Sequence, residues 1–252
     1  MKNYQVLLWD VDDTLLDFPK SEEYAFFHSL KKFNIECTYE DYKVYSEIND
    51  KKWKLLELGQ ITREEVLVGR FRDFFEYMGI HHVDVTEFQP VYQDELGSVF
   101  YFIEKADSLL LRLKEAGYKQ YLVTNGVVKT QAKKLKLSGL DKIVDGIFIS
   151  EAVGYNKPSR EYFEKVLTEI DANCKENILL IGDSLSSDIK GGKNAGIPTC
   201  LFIKNKEKLN QEQFISDIEA MKPDYVIQSL WNILEILEGK ESYSWQNLKT
   251  KN

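Results

Sequence analysis

Two pairs of aspartates stand out for the chemistry they could do. Asp10 and Asp12, in the string Asp10-Val11-Asp12-Asp13-Thr14, close a short apolar run, and Asp183 and Asp188, in Gly182-Asp183-Ser184-Leu185-Ser186-Ser187-Asp188, follow another. Carboxylates gathered at a strand end cost stability unless a metal ion or a ligand compensates them. Between the two pairs lie Thr124, followed by Asn125-Gly126, and Lys157, followed by Pro158. A hydroxyl, an amide and flexible backbone donors suit a phosphate. Each station taken singly has a plainer alternative, since acids, Ser and Thr cap helices and a loop lysine is usually solvated. A lone D-x-D pattern arises about once by chance in a chain this long. The order along the chain, acid pair, Thr, Lys, acid pair, is what independent capping explains poorly.

The elements that must position these residues show in the apolar pattern. Short β-prone runs at 5–11, 120–125, 146–150, 177–183, 199–204 and 224–229 predict buried parallel strands. Helical stretches fall between them at 106–116, 129–137, 158–170, with Pro158 at a helix start, and 186–195. This alternation predicts an α/β fold, a doubly wound, Rossmann-like parallel sheet, which binds ligands at the carboxyl ends of its strands. All four stations fall at or just after such ends. Residues 19–97 break the alternation with four consecutive helical segments near 21–34, 39–58, 63–79 and 85–101. Thr62 with Glu65 makes a capping box there, and Thr38 with Asp41 and Asp84 with Glu87 resemble one. The expected organisation is a core of residues 1–18 and 98–252 with a four-helix cap domain, 19–97, inserted after the first strand.

Composition excludes several function classes. The 252 residues carry a net charge of -8, with most of the surplus acid in the helical insert, so nucleic acid and anionic membranes are disfavoured partners. Three widely spaced cysteines, Cys37, Cys174 and Cys200, suggest neither a disulfide framework nor a zinc site, and read as buried small hydrophobes in a reducing compartment. The first apolar run is too short for a secretion signal and no later run approaches a membrane span, so a cytoplasmic home is expected. The three histidines have no partner pattern and receive no catalytic role. The last dozen residues read as a polar tail.

Together the four stations resemble the motifs of the haloacid dehalogenase superfamily of phosphohydrolases, matched here by Asp10-Val11-Asp12-Asp13-Thr14, by Thr124, by Lys157, and by Gly182-Asp183 with Asp188. The insert falls where the first type of cap domain of that superfamily falls. Within the superfamily, DDTLLDF, EINDKKWKLLELGQITREEV, LVTNGVVKTQ and IGDSLSSDIKGGKNAGI are similar to the pyrimidine 5'-nucleotidase subgroup that acts on noncanonical nucleotides. Two departures are Asp13, where many members have glycine in a strained turn that Asp tolerates, and 100–106, FYFIEKA, where relatives carry a Pro-Gly-Ala entry to the next helix.

The resemblance implies a magnesium-dependent phosphomonoesterase working through an aspartyl-phosphate. Asp10 would be the nucleophile and Asp12 the general acid and base. Asp10, the main-chain carbonyl of Asp12 and Asp183 would hold Mg2+. Thr124, Asn125 and Lys157 would bind the phosphoryl group, and Asp188 would orient metal-bound water or Lys157. Phe18, Trp53 and Phe71 are candidates to stack on a base from the inner face of the cap, although helix packing is the plainer role for each. The implied partner is a small phosphate ester, first a nucleoside monophosphate, handled by a monomer or homodimer. A phosphatase or phosphomutase for phosphoglycolate or a sugar phosphate shares the four stations. A phosphoacceptor signalling module of the receiver type also shares the residue kinds, but its phosphorylated Asp lies on a later strand and it lacks a cap.

Overall fold

The computed structural model describes residues 4–171, 174–240, 243 and 245; most of the expected polar tail lies outside them. Six strands form one parallel sheet: β1 (Val6–Trp9), β2 (Lys119–Thr124), β3 (Gly146–Ile149), β4 (Ile178–Gly182), β5 (Thr199–Phe202) and β6 (Tyr225–Ile227), in the order β3-β2-β1-β4-β5-β6. The chain thus winds from β1 to one side through β2 and β3, then returns to the other side at β4. The gap where the order reverses is where open α/β sheets accept ligands. Helices cover both faces of such a sheet, so its central strands are apolar without alternation. Leu7, Leu8 and Trp9 of β1 accordingly have no solvent exposure, and neither do Leu179 to Ile181 of β4. Trp9 is in register with Leu122 and Ile181, which brings the ends of β1, β2 and β4 level.

The helix start expected at Pro158 moves. The stretch read as a helix from Pro158 begins instead at Arg160, because Ser159 caps it by accepting from the Tyr162 N–H at 3.2 Å. Pro158 stays in the preceding turn, after a cis peptide bond with Lys157.

Contacts divide the chain into two compact units, residues 1–17, 102–128 and 138–252 on one hand and 18–101 with 129–137 on the other. The second unit is helical: α1 (Phe18–Lys32), α2 (Tyr39–Glu57), α3 (Arg63–Leu67), α4 (Gly69–Met78) and α5 (Val85–Gly97). The helical segment expected over 63–79 is therefore two pieces, interrupted at Val68. The boxes at Thr38 with Asp41 and Thr62 with Glu65 are both closed, whereas Asp84 caps through the Thr86 N–H at 2.7 Å. Between β1 and β2 the core contributes α6 (Ala106–Glu115), and after β2 comes α7 (Val128–Ser138), whose middle belongs to the helical unit. There Thr130 Oγ1 donates to Gln93 Oε1 at 2.6 Å and Lys133 pairs with Asp94 at 2.9 Å.

The helical unit is cored by aromatic rings. Phe26, Tyr45, Phe71, Phe74, Phe88 and Tyr92 are each at most 1% exposed, with Phe71 centroids 4.8 Å from both Phe88 and Tyr92. Offset and edge contacts of this kind add to the burial energy of each ring. Phe71 is thus a core residue and not a lining one, the helix-packing role that was the plainer expectation for it. Cys174 is likewise exposed, unlike the buried Cys200. Among the described residues no helix is long and apolar enough to cross a membrane.

Set against the rings is a buried polar chain that no local pattern announces. Glu22, Asn49 and Arg70 are each 1% exposed. Asn49 donates to Glu22 at 2.9 Å and accepts from Arg70 Nη1 at 2.8 Å and from Trp53 Nε1 at 3.0 Å. The Arg70 guanidinium also lies 4.7 Å from the Tyr92 ring centroid. Burial pushes the Glu22 carboxyl up to about 7, against the opposing pull of Ser46, Arg70 and Tyr42. A carboxyl raised above its unfolded value stabilises fully below that value and loses the contribution as pH rises through the folded one. Glu22→Gln is therefore expected to gain on the wild type in unfolding temperature as pH rises from about 5 to about 8. A difference that stays flat over that range in thermal unfolding would show that Glu22 does not titrate there.

Candidate active site

Asp10 follows β1 directly, and its N–H donates to the Ile181 carbonyl at 2.9 Å, so its backbone extends the sheet. Its side chain is 8% exposed. One carboxylate oxygen accepts from Lys157 Nζ at 2.6 Å and the other from Thr14 Oγ1 at 3.0 Å. Thr14 can reach because residues 11–16 close a tight loop. The Leu15 and Leu16 N–H groups both donate to the Val11 carbonyl at 2.9 Å, and the Asp13 N–H donates to Leu16 at 2.7 Å. Asp13 sits in the left-handed region at φ 64, as the sequence implied. Asp12 is half-buried in this loop, its backbone bridged to Leu16.

Lys157 joins the stations. Its Nζ, 147 positions from Asp10, also bonds Asp188 Oδ1 at 2.7 Å and the Val123 carbonyl at 3.0 Å. With 1% exposure, burial alone would lower the ammonium pKa, but the Asp10 and Asp188 carboxylates more than offset this and hold it above the ordinary lysine value. Lys157 is aimed by Asn125, whose amide donates to the Lys157 carbonyl at 2.9 Å and accepts from the Lys157 N–H at 2.8 Å. The Asn125 side chain, expected as a phosphate donor, thus has a second task that aims Lys157 from the β2 edge. Thr124 ends β2 with 2% exposure, its Oγ1 accepting from the Gly126 N–H at 3.3 Å.

Asp183 and Asp188 come from the β4 edge and the π-helical turn Leu185–Ile189 after it. Asp188 is fully buried, and its second oxygen accepts from the Ser184 N–H at 3.1 Å. Ligand oxygens of Asp10, Asp183 and Asp188 all lie within 4.8 Å of one another. Burial pushes Asp10 up to about 7, with Lys157 opposing and Asp188 adding to the rise. Burial, then the Asp10, Asp13 and Asp188 carboxylates, raises Asp183 well above the carboxylate range. Lys157 bonds two of these three acids, so the third meets repulsion that a small divalent cation would remove. Oxygen donors alone, with carboxylates dominant, fit a hard ion of the magnesium type. Asp188, expected to act from behind, offers an oxygen in the same cluster as Asp10 and Asp183.

Sequence reasoning did not assign Thr14 a role, nor Ser184, nor the carbonyl of Val123. Thr14 stood inside the first acid string, four residues from Asp10, where a turn returns it; the other two contacts come from backbone atoms and leave no residue-type signal. Trp53 and Phe18, the two remaining cap candidates, are half-buried. The Trp53 indole is tied to Asn49, and Phe18 begins α1 with Lys134 Nζ 5.6 Å from its ring centroid.

The chain as a whole is similar to known proteins. A family model for haloacid dehalogenase-like hydrolases matches residues 7–202. The HAD-hydrolase YfnB of Bacillus subtilis is 37% identical over 236 residues, covering 94% of this chain and 97% of that protein. Pyrimidine 5'-nucleotidase PynA of Streptococcus pneumoniae is 35% identical over 237 residues, covering 93% and 95%. The crystal structure of YfnB bound to magnesium is similar with a TM-score of 0.84 at 35% identity, covering 94% of this chain and 100% of that one.

Gly182 gives the cation cluster a direct test. A Cβ built there would collide with the Asp188 carboxylate, which Lys157 Nζ and the Ser184 N–H hold in place. Gly182→Ala is expected to displace Asp188 and weaken binding of magnesium or manganese by at least about tenfold. Calorimetric titration checks this, and an unchanged affinity would show that Asp188 has no part in holding the ion.

Proposed function

The chain belongs to the haloacid dehalogenase-like hydrolase family, and on that premise we propose that it is a magnesium-dependent 5'-nucleotidase for pyrimidine nucleoside monophosphates. The observation that carries the chemistry is Asp10 held between Lys157 and Thr14 at the edge of β1, beside Asp183 and Asp188.

An Asp10 carboxylate oxygen attacks phosphorus, forming an aspartyl-phosphate as the bond from phosphorus to the nucleoside oxygen breaks. Asp12 gives its proton to that departing oxygen. Water then attacks the same phosphorus as Asp12 takes a proton from it, and the bond to Asp10 breaks to release inorganic phosphate. Thr14 and Lys157 fix the carboxylate for both displacements, which is where positioned groups contribute most. Thr124 and the backbone around Asn125 and Gly126 would donate to the phosphoryl oxygens. Asp10, Asp183, Asp188 and the main-chain carbonyl of Asp12 would hold Mg2+, which when bound neutralises charge between nucleophile and phosphate.

Similarity to PynA supports the nucleotide reading because it runs through the helical unit as well as the sheet. Trp53 and Phe18 are the aromatic residues proposed to meet the base.

Asp10→Asn is expected to lower turnover by at least about a thousandfold with an unchanged circular dichroism spectrum. A retained rate would refute the nucleophile. Turnover should also stop on chelation of divalent ions and return with magnesium. A side-by-side panel of nucleotides, sugar phosphates and phosphoglycolate should give pyrimidine monophosphates the highest kcat/KM, by about tenfold or more. A flat or sugar-preferring profile would remove the nucleotidase reading and leave the phosphatase chemistry standing.

A further inference from the structure

Lys204 lies just past β5, and its Nζ reaches across 191 positions to Asp13 Oδ1 at 2.6 Å. The same nitrogen is 3.4 Å from Asp17 Oδ1. Asp13 is the left-handed residue of the loop that carries Asp12, and Asp17 is the last residue of the sheet unit before α1. One ammonium therefore ties the middle and the end of the loop to the edge of β5. The loop needs such a tie for two reasons. A side chain at positive φ is disfavoured relative to glycine. Asp10, Asp12, Asp13 and Asp17 also crowd like charge into eight residues, and repulsion would spread them.

We propose that Lys204 is a positioning residue, whose bonds to Asp13 and Asp17 hold the loop in the conformation that presents Asp12 to the leaving group. This rests on the reading of Asp12 as the acid given above. Lys204 is about a third exposed, and exposed ion pairs add little to global stability, so its effect belongs in the chemistry and not in the unfolding temperature.

The experiment compares two substrates that differ in their need for a proton. A nucleoside monophosphate leaves as an alkoxide that Asp12 must protonate, whereas p-nitrophenyl phosphate leaves as a stable phenolate. In a single turnover, before the shared aspartyl-phosphate is hydrolysed, Lys204→Met is expected to slow leaving-group release about tenfold on the nucleotide and less than about twofold on the phenyl ester. Lys204→Arg should retain most of the rate. With Asp13→Gly already in place, removing Lys204 should cost less than about a further twofold, because the main partner is gone. Equal losses on both substrates, full additivity with Asp13→Gly, or no loss at all would overturn the proposal. Asp12→Asn separates the two readings. If in the same single-turnover measurement Asp12→Asn spares the phenyl ester while Lys204→Met does not, only the positioning role fails; if Asp12→Asn slows release from both substrates alike, the acid assignment fails with it.

Discussion

The Lys157 ammonium, bonded at once to Asp10 and Asp188 where almost no solvent reaches, is the interaction on which the sheet edge depends. Two buried carboxylates without a counter-charge would not stay ionised, and a nucleophile must. Removing one partner from such a buried set costs about 3–5 kcal/mol, because the remaining charge is left uncompensated. Much of the surrounding backbone serves this one nitrogen. Asn125 grips both main-chain groups of Lys157, Val123 lends a carbonyl, and Ser159 starts a helix immediately beyond. Three strands that are distant in sequence thereby deliver their ends to a single point.

The parts of this that were legible in the sequence are those written in local pattern. Runs such as Asn177 to Gly182 state their own burial, and an acid directly after one states that a strand end carries charge. The two acid stations were readable for that reason, whereas the strained turn at Asp13 was implied only by the family resemblance. Contacts made across the chain were not. Nothing near Asn125 says that its amide will grip Lys157, and Lys204 looks like any surface lysine until β5 brings it to Asp13. Phe71 shows the other side: a core position was the plainer reading of an aromatic residue on a helix, and its packing against Tyr45, Phe88 and Tyr92 is of that kind. Asp188 read as an acid that orients metal-bound water or Lys157, and that its oxygen also joins the cluster with Asp10 was not legible, because the π-helical turn that carries it has no residue-type signature.

The helical unit solves a different problem. Its rings supply ample apolar burial, but rings alone pack in more than one way. The chain from Glu22 through Asn49 to Arg70 adds directional bonds between α1, α2 and α4, which rings alone do not supply. Trp53 is fastened to the same amide, so the orientation of its indole is inherited from residues that are themselves inaccessible. Buried polar groups used in this way trade some stability for a defined geometry, a role attested in other folds.

The middle of α7 packs with helices encoded some thirty or more residues earlier, through Thr130 on Gln93 and Lys133 on Asp94. On the ribosome, the whole stretch from Phe18 to Tyr101 emerges before these partners exist. The helical unit must then wait, incompletely covered, while α6, β2 and α7 are synthesised. Its birth order is therefore interleaved with that of the sheet, and neither unit is finished by the time the other begins.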